Sequence, residues 1–204
     1  RKGQSAAYFA LLGFGFIFFE VTLIQRLILF LGYPTYSLTV TLMSILVFTG
    51  VGALLSARFK DEPRRVLPRL VVAISALTLF YLLGLSPLTD ALLAWPLAAR
   101  IPIAIAVLAP LGLCLGMFMP LGIGAVAGLT THSREYVAWG WAVNGFASVI
   151  GAVLSTILAM SFGFGAVLVI ALGLYLLALA TLSRLLRSAP APSELAPARP
   201  VVTA

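Results

Sequence analysis

Carboxylates are scarce in this chain of 204 residues, with 6 acidic side chains against 13 basic ones and charged residues of either sign at only 9%. Histidine and cysteine each occur once, as His132 and Cys114. A single cysteine excludes an intramolecular disulfide, and one Cys with one His leaves a metal site of those ligands without raw material. Cys114 lies in an apolar segment and reads as a buried, inert thiol. A Ser-His-Asp or Cys-His arrangement would depend on His132, which sits in the polar loop Thr130-Thr131-His132-Ser133-Arg134-Glu135 and reads as exposed. Paired carboxylates for acid and base work are missing too, because Glu20 is the only acidic residue inside an apolar run. The short glycine motifs at Gly13 and Gly15, Gly50 and Gly52, and Gly163 and Gly165 lack the strand context of a phosphate-binding loop. These residues therefore supply no catalytic constellation, no metal site and no cofactor site.

Apolar residues are what the chain has in abundance. They make up 62% of it, and the mean hydropathy is +1.13. Such a composition excludes an ordinary soluble domain. A span takes about 20 apolar residues, so the length accommodates about six crossings and little else. The expected fold is all-α, a polytopic membrane bundle of about six transmembrane helices over residues 1–187. A Pro/Ala-rich tail over 188–204 follows, and its composition predicts disorder. The net charge of +7 does not imply nucleic acid, since most basic residues stand at the ends of apolar runs, where topology explains them. The chain opens on Arg1 without an initiator methionine, which reads as a processed or partial chain, and its first apolar run is too long for a signal-peptide core.

The hydropathy pattern predicts spans at about 6–31, 36–57, 66–85, 101–127, 136–160 and 165–182, with an interfacial segment at 86–97 anchored by Trp95. In the first span Gly13 and Gly15 fall on nearly opposite sides, so each side admits a close neighbour. The same span carries Glu20, Gln25 and Arg26. An ionisable group at that depth needs a partner or a water-filled cavity. Glu20 and Arg26 are separated by roughly 9 Å along the axis and about 120° around it, so they do not readily pair with each other. Glu20 is expected either to meet a donor on another helix or to carry a proton, while Arg26 has a stem long enough to reach towards the headgroups.

Candidate partners lie in later spans. The second begins at Tyr36 and carries Thr39, Thr41, Ser44 and Thr49, although hydroxyls in membrane helices commonly bond their own backbone. In the fifth, Gly140, Asn144, Ala147, Ser148, Gly151 and Ser155 fall in one stripe about 100° wide, a small and weakly polar face. Asn144 is the amide expected to answer Glu20. The intramembrane polar cluster proposed from sequence is thus Glu20, Gln25, Arg26, Asn144, Ser148 and Tyr36. Pro110 and Pro120 are expected to kink or break the fourth span, and the sixth reads as nearly featureless and lipid-facing. In a six-span scheme ten basic residues from Arg1 to Arg187 fall on one side, against Arg100 on the other, which predicts cytoplasmic termini.

Several motifs bear a resemblance. The run Leu12-Gly13-Phe14-Gly15-Phe16-Ile17-Phe18-Phe19-Glu20, then Ile24-Gln25-Arg26 and Gly32-Tyr33-Pro34-Thr35-Tyr36-Ser37, resembles the membrane region of bacterial spermidine synthase-like proteins, in which helices are fused to an aminopropyltransferase or methyltransferase-like domain. Gly116-Met117-Phe118-Met119-Pro120-Leu121-Gly122 and the segment from Trp139 to Gly151 add to it. The resemblance implies a bacterial inner-membrane module that anchors or serves a transferase domain or partner, with any aminopropyltransferase-like activity residing outside this chain. More loosely, the segment from Gly52 to Arg58 followed by Arg64-Arg65 is similar to the loop of a six-helix major-facilitator half, with Ser56 where an aspartate is expected. The readings that follow are a membrane module holding a polar or cationic ligand in its bundle, a half-transporter acting as an oligomer, and an accessory subunit of a larger membrane complex.

Overall fold

The computed structural model describes residues 2–127 and 133–187. His132 and the tail over 188–204 lie outside the described residues. The order is α1 (Lys2–Arg26), α2 (Ile28–Leu31), α3 (Pro34–Ser56), a 3-10 turn (Ala57–Phe59), α4 (Pro63–Leu83), α5 (Leu85–Ala91), α6 (Leu97–Ala127), α7 (Ser133–Phe162) and α8 (Phe164–Arg187). The helices α1, α3, α4, α6, α7 and α8 are each long and apolar enough to cross a membrane, so the chain is a multi-pass bundle of six candidate spans.

The connections follow from local chemistry. The α1–α2 junction turns into α3 at Gly32, whose φ of 86° is left-handed, and its N–H donates to the Ile28 carbonyl at 2.9 Å. Pro34 then opens α3 at a position that needs no N–H donor. Gly163, with φ 84°, separates α7 from α8 in the same way, its N–H on the Ala159 carbonyl at 2.8 Å. The interfacial segment folds as α5 and a turn leading to Pro96, with Trp95 exposed.

α1 is the most enclosed span, with 56% of its most apolar stretch buried against 22% for α7. It lies between α7 and α8 and also touches α3 and α6, while α3 and α6 make the other extensive pair. Without a hydrophobic drive between helices in lipid, such pairs depend on close packing of small residues. The two glycines of α1 divide this task as the sequence predicts. A β-carbon on Gly13 would collide with the Asn144 carbonyl and Ser148 of α7, and one on Gly15 would fall 2.7 Å from Tyr175 of α8. Between α3 and α6, side chains on Gly52 or Gly116 would overlap the backbone of Leu113 or Thr49.

Two expectations are corrected. Neither Pro110 nor Pro120 ends the fourth span, because α6 runs unbroken for 31 residues through Pro102, Pro110 and Pro120. Tyrosines from neighbouring helices bond carbonyls close to two of these prolines. Tyr81 Oη donates to the Val107 carbonyl at 2.9 Å beside Pro110, and Tyr8 Oη donates to the Phe118 carbonyl at 2.8 Å beside Pro120. Nor is the last span featureless: Val167, Leu168, Ala171, Tyr175, Ala178, Leu182 and Leu185 form one buried stripe. Tyr175 packs edge-on against Phe118 at 4.8 Å and tilted against Phe19 at 6.0 Å, joining α1, α6 and α8.

Candidate functional site

Contacts sort the helix ends into two groups. At one end Arg64 of α4 donates to the Leu186 carbonyl of α8 at 2.9 Å, close to Arg58, Lys60 and Arg65 in sequence. At the other, Arg26 donates to the Tyr81 carbonyl and Arg100 to the Phe30 carbonyl at 2.8 Å. Each of these three arginines covers a carbonyl in the last turn of a neighbouring helix, a group left unsatisfied within its own helix and at the negative end of its dipole. Arg26 is therefore occupied by α4, in keeping with the expectation that it does not pair with Glu20.

Glu20 faces inward from the central helix. Only 7% of it is exposed, and Oε1 is buried with no hydrogen-bond partner among the described residues. Asn144 is not its partner. The Asn144 amide donates to the Phe9 carbonyl at 3.1 Å, and Ser148 donates to the Gly13 carbonyl at 3.3 Å and to Asn144's own carbonyl at 3.0 Å. Phe9 lies 11 residues before Glu20, about 16 Å along the helix, so the side-by-side contact of α1 and α7 holds the amide far from the acid. The small stripe itself is where the sequence puts it: Gly140 meets Phe9, Gly151 meets Ile17 and Phe14, and Ser155 is fully buried.

What stands near Glu20 follows from helix register. Ser37 Oγ donates to the Ile24 carbonyl at 2.5 Å, which sets α3 antiparallel to α1 at that level. One turn deeper on each helix, about 6 Å inward, come Glu20 and Thr41. Thr41 is fully buried, and its Oγ1 also has no partner among the described residues. On the α7 side, Gly151 opposite Ile17 puts Ser155 at the same height, its hydroxyl donating to the Ala152 carbonyl at 3.0 Å. A carboxylate and two hydroxyls from three helices thus share one level in the bundle. Sequence reading placed Thr41 and Ser155 among the candidates of their own spans without seeing that their heights match.

The other proposed cluster members do not converge there. Gln25 is exposed, and so is Tyr36, which packs edge-on against Tyr33 at 5.8 Å. Ser44, deeper in α3, bonds its own Val40 carbonyl at 2.5 Å, and Ser56 bonds Ala53 at 2.6 Å, as hydroxyls in membrane helices commonly do. Among the described residues no three His, Cys, Asp or Glu side chains gather as metal ligands. Among the described residues the level of Glu20 is rich in oxygen and has no cationic side chain bonded to it, an arrangement that chemically suits a cationic guest or a proton. No family model matches the chain, and no curated protein or solved structure does.

Proposed function

We propose that the chain is a membrane module of the spermidine synthase-like kind, set in the bacterial inner membrane with its basic end cytoplasmic, whose bundle holds the ammonium group of a cationic amine at Glu20. The observation that carries the reading is the carboxylate oxygen Oε1 of Glu20, buried on the most enclosed helix and unpartnered among the described residues. A carboxylate at such depth is costly without a positive partner, and Arg26 and Arg100 are bonded to carbonyls elsewhere. The reading also draws support from the residues of the resemblance, since Gly13, Gly15, Gly122 and Gly151 make the close interhelix contacts that hold α1 in the bundle, and Gly116 makes the close contact between α6 and α3. On this reading the transferase chemistry belongs to a partner or to a segment outside this chain, and the bundle presents or retains the amine.

The test is thermal unfolding of the purified chain in nanodiscs with and without spermidine. Spermidine is expected to raise the Tm of the parent chain and to leave Glu20→Gln unmoved, since the amide keeps shape and hydrogen bonding without the charge. An equal rise in both would overturn the proposal. Copurification of a soluble transferase supports the module reading, whereas a homodimer that transports the amine across vesicles would replace it with a half-transporter.

A further inference from the structure

A groove runs between the start of α4 and the end of α8 at the basic end of the bundle, with a volume of about 370 Å³. Its chemistry changes with depth. Leu67 and Leu182 form a floor that is 2% and 1% exposed, and Leu179 and Pro68 continue the apolar lining. Arg64 and Arg187, both exposed, stand at the mouth. A second cavity of about 480 Å³ shares Pro63, Arg64 and Leu186 with it and adds Lys60 and Arg65. Asp61 and Glu62 also line this second cavity, and Glu62 is engaged with Arg65 at 3.5 Å. Four cations therefore face two carboxylates, one of them already paired.

Two further features favour an anion at the mouth. α4 begins there at Pro63, so the positive end of its dipole points to the same place. The negative end of α8 is covered, because Arg64 donates to the Leu186 carbonyl. That bond uses one N–H of a guanidinium that carries five, leaving others for a ligand. A soluble anion would have no use for the leucine floor, whereas a molecule with a phosphate at one end and hydrocarbon at the other matches the groove along its length. We propose that this groove is a binding site for an anionic phospholipid of the leaflet at the basic end, its phosphate between Arg64 and Arg187 and its upper acyl carbons on Leu67, Leu179 and Leu182. Basic pockets between membrane helices bind lipid headgroups by this combination of charge and depth.

Native mass spectrometry of the detergent-solubilised chain titrated with phosphatidylglycerol or phosphatidylcholine tests the proposal. Phosphatidylglycerol is expected to be retained in preference. Arg64→Ala with Arg187→Ala should weaken that retention roughly thirtyfold, about fivefold for each charge. Arg58→Ala with Arg69→Ala removes the same charge outside the groove and should leave retention unchanged. Ser183→Trp fills the groove with every charge kept and should also abolish retention, which keeps the proposal open to refutation if loss of the Arg64 bond to Leu186 prevents folding. Equal retention of the two lipids, equal loss in the Arg58 and Arg69 control, full retention in Ser183→Trp, or displacement of the lipid by excess inorganic phosphate would each overturn it.

Discussion

Two polar levels on the central helix behave in opposite ways. Phe9, Gly13 and Glu20 lie within about 40° of one another around α1, yet the level of Phe9 and Gly13 is closed and the level of Glu20 is open. At the first, the Asn144 amide and the Ser148 hydroxyl find backbone carbonyls of α1, so the polar groups of α7 are used up in joining two helices. At the second, Glu20 Oε1 and Thr41 Oγ1 are buried without hydrogen-bond partners among the described residues. The difference teaches which intramembrane polar residues belong to the architecture and which remain available to a guest. A group whose hydrogen bonds close within the fold contributes packing and specificity. One whose bonds stay open raises the energy of the empty bundle, and a ligand or proton that completes them is bound more favourably for it.

Substitutions can break this contrast in order of size. The largest effect is expected from Gly13→Leu, because a side chain there meets the Asn144 carbonyl and forces α7 away from α1. The cost should exceed about 3 kcal/mol, seen as failure to fold or a collapsed Tm in detergent. Next comes Asn144→Leu, which removes one interhelix hydrogen bond and should cost about 1 kcal/mol in thermal unfolding while leaving the response to spermidine intact. The smallest is Thr41→Val, an isosteric change at a hydroxyl with no hydrogen-bond partner among the described residues. It should stabilise the empty bundle by a few tenths of a kcal/mol, and at most about 1 kcal/mol, and weaken the amine response. If Asn144→Leu abolished that response and Thr41→Val left it untouched, the closed and open levels would have to exchange roles.

Much of this was legible in the residues, though unevenly. The opposed glycines at 13 and 15 anticipated neighbours on two sides of α1, and the small stripe on the fifth span anticipated the face of α7 that meets them, because both follow from the angle per residue. The sequence points Asn144 at Glu20, whereas the amide bonds Phe9, for a related reason. Periodicity tells which face a residue occupies and leaves open how far one helix is shifted along another, and here the shift sets the amide about three turns from the acid. The prolines of α6 do not break the helix, and tyrosines from α1 and α4 bond carbonyls near Pro120 and Pro110 from outside. Tyr175 went unnoticed because a lone tyrosine in an apolar run looks alike whether it faces lipid or three neighbouring helices. Gln25 and Tyr36, candidates for the cluster by sequence, are both exposed, beyond the reach of the level of Glu20.

From its sequence alone this protein is committed to the bilayer, to about six crossings and to one acid among apolar residues, because hydrocarbon thickness and the cost of exposed backbone groups permit little else for such a composition. Only the tertiary structure decided that one buried oxygen of the acid meets no partner among the described residues, that three arginines cover the helix ends beside them, and that a leucine-floored groove opens under two of the basic side chains. Those outcomes depend on the axial offset between packed helices, which is set by the sum of many small side-chain contacts across the bundle, and no single segment of chain encodes that sum.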